Sequence, residues 1–410
     1  MGRVGFGKGE DFFSLSRMTL PSVSPRRWLL IVGIALVALN LRLAITSVGP
    51  LVSLMRPATG LSNAALGLLT ALPLLAFGCV SPLASVVSRR VGVERAVAMA
   101  LVLLAAGTGL RAAESIVALY IGTGLMGVGV ALGNVLLPVL AKRDFPAHTG
   151  PITSVYSSMM GLGTTAAAGL SVPLATVFGW RGALGIWVLP AAVALLVWLP
   201  QLSRPRPVRR VRRPGGVTLR VLGRSRLAWQ VALYMGLQSL TFYVIIAWLP
   251  DLLQSRGLSE AAAGWMLALS QATGILGTAL IPVWAGRLAD QRRVIWTLAV
   301  LEAAGLGGLL LPGGMLVVLW VSLLGFVLGG TFGLALTLLV LRAPDADSAG
   351  ELSGMAQSVG YFVAAAGPPL FGYLYDSTAG LTVPLSLLGA VLVGKVLSGL
   401  PAGRRGLVGT

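Results

Sequence analysis

The stretch that decides the fold is residues 28–52, WLLIVGIALVALNLRLAITSVGPLV. It is longer than the roughly 20 predominantly apolar residues that a helix needs to cross the hydrocarbon core of a bilayer. Its one charged side chain is Arg42, and a central arginine costs roughly 2.5–3.5 kcal/mol on insertion scales. The stretch therefore predicts a membrane-spanning helix with a costly cation at depth. Such residues usually serve transport or ligand capture.

The same apolar pattern recurs along the whole chain. The 410 residues are 56% hydrophobic and 11% charged, with a mean hydropathy of +0.87, which indicates an integral membrane protein. Continuous Leu/Ala/Val/Gly runs predict helices, whereas a membrane barrel needs strands that alternate. We predict an all-α membrane protein with twelve transmembrane helices in two pseudo-symmetric six-helix bundles. The predicted spans are 28–52, 64–86, 94–112, 115–141, 151–175, 182–200, 228–250, 262–285, 294–312, 314–341, 352–374 and 380–400.

The basic residues follow this alternation of spans and loops. The formal net charge is +18, and the arginines and lysines concentrate before the first span and in every second loop, nine of them between the sixth and seventh spans. This is the positive-inside pattern, and it predicts a multi-pass protein of the bacterial cytoplasmic (inner) membrane with both termini cytoplasmic. Membrane topology accounts for the excess of basic residues, so we expect no nucleic-acid partner.

A basic interval divides the chain near its midpoint. Its prolines and like charges disfavour packing, so we predict a cytoplasmic linker near anionic lipid heads. The predicted parts are a cytoplasmic tail 1–27, a first bundle 28–200, the linker 201–227, a second bundle 228–401 and a cytoplasmic tail 402–410. Ala166-Ala167-Ala168-Gly169 in the first bundle recurs as Ala364-Ala365-Ala366-Gly367 in the second. The echo favours two parallel repeats with a binding site between them.

The eighth loop carries a motif, Gly286-Arg287-Leu288-Ala289-Asp290-Gln291-Arg292-Arg293. It resembles the Gly-x-x-x-Asp-Arg loop signature of the major facilitator superfamily. The resemblance implies that Gly286, Asp290, Arg292 and Arg293 latch the cytoplasmic side during alternating access. The corresponding second loop has Arg89 where the aspartate would stand, which puts the first half's latch in doubt.

Four further stretches resemble the cyanate/nitroimidazole permease family of that superfamily. They are Asn40-Leu41-Arg42 with Thr46-Ser47-Val48-Gly49-Pro50-Leu51, Gly133-Asn134-Val135-Leu136-Leu137-Pro138 with Lys142-Arg143-Asp144-Phe145-Pro146, Ala247-Trp248-Leu249-Pro250, and Leu352-Ser353-Gly354-Met355-Ala356-Gln357-Ser358-Val359-Gly360-Tyr361 with Gly367-Pro368. The resemblance covers residues 28 to about 400 and implies a secondary active or facilitative transporter of a small anion or small polar planar solute.

Polar residues at depth give the candidate cavity. Arg42 offers five planar donors and suits an anion. Gly49-Pro50 can bend the helix just beyond it. The candidate substrate-binding residues are Arg42, Asn40, Thr46, Asn134, Tyr156, Gln238, Tyr243, Gln357 and Tyr361. For Asn40, hydrogen bonding between helices is the competing interpretation. For Arg42, the alternative is a structural role at the carbonyls of a broken helix end near Gly49.

The remaining ionisable groups restrict the chemistry. No Asp or Glu falls deep in the cavity helices, which disfavours a carboxylate proton relay, and Glu302 with Lys395 is predicted to form a structural ion pair. We expect no metal and no cofactor, a small-molecule substrate, a lipid environment and a functional monomer. A drug-efflux facilitator with a structural Arg42 is the alternative function. A multi-spanning membrane enzyme is disfavoured by the lack of a catalytic constellation.

Overall fold

The computed structural model describes residues 25–203, 219–311, 316–378, 380 and 382–408. Most of the predicted N-terminal tail and of the basic linker lies outside these ranges. Within them all regular structure is helical, so the predicted all-α fold is confirmed. The helices are α1 (Pro25–Thr46), α2 (Val52–Thr59), α3 (Asn63–Val91), α4 (Val93–Leu110), α5 (Ile116–Asp144), α6 (Thr149–Gly185), α7 (Val188–Trp198), α8 (Leu219–Leu222), α9 (Arg226–Gln254), α10 (Glu260–Gly286), α11 (Arg292–Gly308), α12 (Leu316–Leu341), α13 (Ala346–Thr378) and α14 (Thr382–Ala402).

These helices form twelve segments that correspond to the twelve predicted spans. In the described part of the chain, nine segments are long and apolar enough to cross a membrane by length and composition. The sixth span is not among these nine. It begins after Gly179 (φ 67°, ψ 167°), which breaks α6 and separates the fifth span from the sixth. The ninth and eleventh spans are α11 and α13. Helix α13 extends several residues beyond the predicted 352–374 because polar end residues remain helical.

Successive spans run in opposite directions, so the bundle has two faces. We call the face that carries both described chain ends, near Pro25 and Val408, the termini face; α3, α5, α10, α12 and α14 end there. We call the opposite face, which carries residues 47–62, 255–259 and 380, the far face. Close packing of the helices relies on small residues, as is usual for helices in membranes. A Cβ at Gly277 of α10 would lie 1.9 Å from the carbonyl oxygen of Phe326 on α12.

The predicted ion pair between α11 and α14 is present. The Lys395 ammonium donates to Glu302 Oε1, and the two residues are 2% and 1% exposed. They lie among Tyr234, Thr331 and apolar side chains of the second half. The pair therefore holds helices of one half together and makes no contact with the Arg42 region.

We expect Glu302→Met to destabilise the protein strongly, because it leaves the Lys395 charge buried without a partner. Removing one member of a buried pair typically costs about 3–5 kcal/mol, whereas replacing both by apolar residues is often neutral. Thermal unfolding in detergent checks this: Glu302→Met should unfold well below wild type, and Glu302→Met/Lys395→Met should recover most of the loss. A double variant no more stable than the single one contradicts a purely structural pair.

Candidate functional site

The first span is broken where the sequence predicts a bend. Helix α1 ends at Thr46, a short 3₁₀ turn covers Gly49–Leu51, and α2 begins at Val52. Gly49 is packed directly on α9: a Cβ there would lie 2.1 Å from the carbonyl oxygen of Ile246. No larger residue fits this contact. The break in the first span therefore packs directly against the second half at the far face.

Arg42 lies one turn before this break and also contacts the second half. Its Nη1 donates a hydrogen bond of 3.0 Å to the hydroxyl oxygen of Tyr243 on α9. Arg42 is partly exposed, whereas Tyr243 is 3% exposed. Helical side chains lean towards the N-terminus of their own helix, which for α1 is the termini face. The guanidinium is thus attached to the second half at one nitrogen and directed away from the far face.

An aromatic stack lies beside this contact. Phe77 of α3 and Tyr361 of α13 are stacked with ring centroids 4.7 Å apart and ring planes 23° apart, so the stack also joins the two halves. Both rings are buried, at 1% and 5% exposure. The sequence indicated Tyr361 but missed Phe77, because an apolar ring in an apolar run gives no signal until its partner across the halves is known.

The other predicted cavity residues separate into two groups. Asn134, Tyr156 and Gln357 are partly exposed on the termini-face halves of α5, α6 and α13, and Gln357 Nε2 donates to Ser353 Oγ at 2.8 Å. The second group is buried away from any open surface. It comprises Asn40, Thr46 and Gln238, each 1% exposed.

Local hydrogen bonds explain the burial of two members of this second group. Asn40 Nδ2 donates to the carbonyl oxygens of Leu36 (2.8 Å) and Pro190 (3.0 Å), which fixes α1 against the sixth span. Gln238 Nε2 donates to Ser239 Oγ at 2.7 Å. The interhelical interpretation of Asn40 therefore matches its geometry in this conformation.

A polar network that the sequence did not predict closes the far face. Arg56 Nη2 pairs with Asp251 Oδ2 at 2.9 Å, and Arg56 Nε donates to Asn63 Oδ1 at 2.8 Å. Asn63 Nδ2 in turn donates to Asp376 Oδ1 at 2.6 Å. Arg56 and Asn63 belong to the first half, whereas Asp251 and Asp376 belong to the second. We call these four residues the far-face clasp.

On the termini face, several positions near helix ends lie in open space. No heavy atom of a neighbouring element lies within 4 Å of the Cβ position at Gly286, Gly350 or Gly354. Ser157 and Ser158 at the start of α6 are exposed. Because α6 packs against both halves, we infer from these accessible hydroxyl groups a cleft that opens at the termini face and runs towards Arg42.

The predicted latch residues lie at this open face. Asp290 accepts hydrogen bonds from Arg292 N (2.8 Å) and Nε (2.8 and 3.0 Å), and these bonds lower the pKa of the Asp290 carboxyl. Nearby, the buried Arg342 donates to Gln291 and to the carbonyl oxygen of Ala402 (2.7 Å). These contacts lie within the second half, so the described loop does not join the halves here. Its latch role, including that of Gly286 and Arg293, stays a prediction.

The bundle has twelve spans, its halves are joined by the clasp on one face, and a partly exposed cation lies at membrane depth. This arrangement is typical of the class of alternating-access membrane transporters. The Major Facilitator Superfamily model matches residues 30–368. The chain belongs to that superfamily and, within it, to the family of nitroimidazole and cyanate transport proteins.

Three similarities illustrate this membership. The chain is 43% identical to the 2-nitroimidazole transporter of Escherichia coli (strain K12), over 92% of this chain and 96% of that protein. It is 31% identical to the cyanate transport protein CynX of the same strain, over 89% and 94%. The crystal structure of a D-xylose-proton symporter shares the fold, with a TM-score of 0.77 and 15% identity, over 93% and 98%. The protein is therefore a multi-pass membrane transporter.

Proposed function

We propose that the protein carries a small anion or a small polar planar solute, cyanate-like or nitroimidazole-like, and that Arg42 is its main binding residue. The observation that supports this most is the environment of Arg42. Arg42 is partly exposed one turn before the break at the closed far face, and the structure gives it one hydrogen bond to the described residues, to Tyr243. Four of its five donors are left for a solute.

The chemistry of the surrounding groups favours a compact acceptor. No described carboxylate lies within ion-pair distance of Arg42, so its charge has no fixed counterion. A planar guanidinium binds carboxylate-like or nitro-like groups through paired, charge-assisted hydrogen bonds. The nearby rings of Tyr243 and Tyr361 add aromatic surface for a flat molecule. The names of the two Escherichia coli relatives agree with this class of solute.

The partly exposed side chains extend the proposed site along the cleft. Asn134, Tyr156 and Gln357 would contact a solute on its way to Arg42. In this conformation Asn40, Thr46 and Gln238 support the site from behind, and they would reach the solute only after the halves move. Gly286, Asp290, Arg292 and Arg293 would close the termini face in the opposite state.

We place the termini face in the cytoplasm because the basic loops lie on that face. The protein then resides in the bacterial inner membrane with its lipids around it, and the described conformation faces inward. The bundles 28–200 and 228–401, joined by the linker 201–227, would rock around the site as a monomer.

A ligand screen tests the proposed function. Purified protein is heated with cyanate, nitrate, small carboxylates or 2-nitroimidazole, with glucose as the neutral non-aromatic control and a lipophilic cation as the drug-like control. A solute of the proposed class stabilises the folded state by about 2.7 kcal/mol at one hundred times its Kd, so the unfolding temperature rises with concentration. Liposome uptake of the stabilising solute, with and without a pH gradient, then measures coupling. Stabilisation by glucose alone, or by lipophilic cations alone, overturns the proposal.

A further inference from the structure

A second arginine of the first half is buried more completely than Arg42. Arg111 directly follows α4 and is 0% exposed. In the sequence it stands at the end of the predicted span 94–112, where an arginine is ordinarily solvated. The structure instead directs it into the bundle: its Nη1 donates a 2.7 Å hydrogen bond to the carbonyl oxygen of Ala44 on α1. The difference arises because α4 ends next to the break in the first span, which sequence spacing does not reveal.

The position of Ala44 shows that this contact is made at the end of a helix. Ala44 lies two residues after Arg42 and two before the end of α1. The last carbonyl groups of a helix lack intrahelical partners and carry partial negative charge. Arg111 therefore supplies a cation and a donor to the broken helix end.

The residues around Arg111 leave room for its side chain. A Cβ at Gly122 of α5 would lie 3.1 Å from Arg111 Cγ and 3.0 Å from Arg111 N, so the absence of a side chain there makes room for the arginine stem. No ion pair joins Arg111 to a described carboxylate, and its Nε and Nη2 have no hydrogen-bond partner among the described residues. The Ala44 carbonyl oxygen is its hydrogen-bond acceptor in this structure.

We infer that Arg111 is a positioning residue for transport: it holds the carbonyl end of α1 and thereby leaves the Arg42 guanidinium for the cleft. The part that concerns the solute rests on the proposed function. Two arginines lie close to one helix break, and the structural role at the carbonyls belongs to Arg111. Without it, the Ala44 carbonyl oxygen keeps the neutral Ser47 hydroxyl as a donor (3.2 Å) but no cation, so the helix end attracts the remaining cation, Arg42, and withdraws it from the solute.

Hydrogen exchange tests the helix-end part without any solute. Amides of residues 43–51 are compared in wild type, Arg111→Met, Arg111→Lys and the matched control Arg181→Met. Arg181 is an arginine of the same half and face that donates to the carbonyl oxygens of Ala113 and Glu114 from an exposed position. We expect faster exchange in Arg111→Met, intermediate exchange in Arg111→Lys and no change in the control. Wild-type exchange in Arg111→Met overturns the inference.

A double-mutant cycle tests the link to Arg42. Binding of cyanate and of 2-nitroimidazole is measured for Arg111→Met, Arg42→Ala and the double variant. We expect Arg111→Met to weaken binding at least about fivefold alone and to add nothing in the Arg42→Ala background. Independent, multiplying effects contradict positioning through Arg42. If Arg42→Ala binds like wild type, the proposed function fails, whereas the exchange experiment still decides the role of Arg111. Should Arg111→Met not fold, Arg111→Lys replaces it in both measurements.

Discussion

Arg42→Ala is expected to weaken uptake of the solute strongly without lowering the stability of the protein. The two effects have opposite signs because the arginine is costly for folding and favourable for binding. A guanidinium at membrane depth without a carboxylate raises the free energy of the inserted helix by roughly 2.5–3.5 kcal/mol, and alanine removes this cost. Hydrogen bonds to a charged group contribute about 1.5–3 kcal/mol, so solute affinity should fall about tenfold to a hundredfold.

The measurement combines liposome uptake with thermal unfolding of the same preparations. Arg42→Lys is the most informative second variant, because it keeps the positive charge but loses the planar guanidinium group. It should retain measurable uptake at reduced affinity. Arg256→Ala serves as the control, since Arg256 is a far-face arginine that donates to the Leu311 carbonyl oxygen at 2.9 Å, away from the cleft. Unchanged uptake in Arg42→Ala would falsify the assigned role of Arg42.

Neutralising both acids of the far-face clasp is expected to shift the protein towards a state open at the far face. Asp251→Asn removes the charge that pairs with Arg56, and Asp376→Asn weakens the bond to Asn63. The clasp joins the halves in the described state and must separate in the opposite one. A loss of about 1–3 kcal/mol from one state changes the ratio of the two states about 5- to 150-fold.

Spin labels at Thr59 and Ser255, at the far-face ends of α2 and α9, can follow this shift by electron–electron distance measurement. The free cysteine is first replaced as Cys79→Ser so that it takes no label. The double Asn variant should show a larger population at long distance than wild type. Arg256→Gln is the matched control, because Arg256 is a far-face charge whose hydrogen bond to the Leu311 carbonyl oxygen lies within one half. A wild-type distance distribution in the clasp variant means that other contacts hold the face closed.

The fold was largely predictable because its signals are local. A helix in lipid must satisfy its own backbone hydrogen bonds and present apolar side chains, so each span requires a continuous apolar run in the sequence. The bend at Gly49-Pro50 was predictable because this dipeptide favours a break in a helix. The pairing of Glu302 with Lys395 was predictable because a charge at membrane depth requires a partner of opposite charge.

The site was predictable only in part, since facing directions depend on the packing between spans. Arg42 and Tyr243 were both predicted, yet their contact links residues far apart in sequence. Asn40 has the same type of signal as Asn134, but the structure turns it towards Pro190 and the sixth span. Phe77, Arg111 and the far-face clasp were missed because apolar rings and loop-end charges are ordinary in sequence.

The sequence by itself determined twelve helical spans, their alternation, the class of protein and the costly cation in the first span. The tertiary structure decided which of the two arginines near the break holds the helix end, which face is closed and which polar groups meet the cleft. The physical reason is that insertion into lipid selects each span by its own hydrophobicity, whereas the contacts of a side chain are set by helices from elsewhere in the chain. Arg42 was visible as an energetic cost, and its contact with Tyr243 emerged once the two halves were packed.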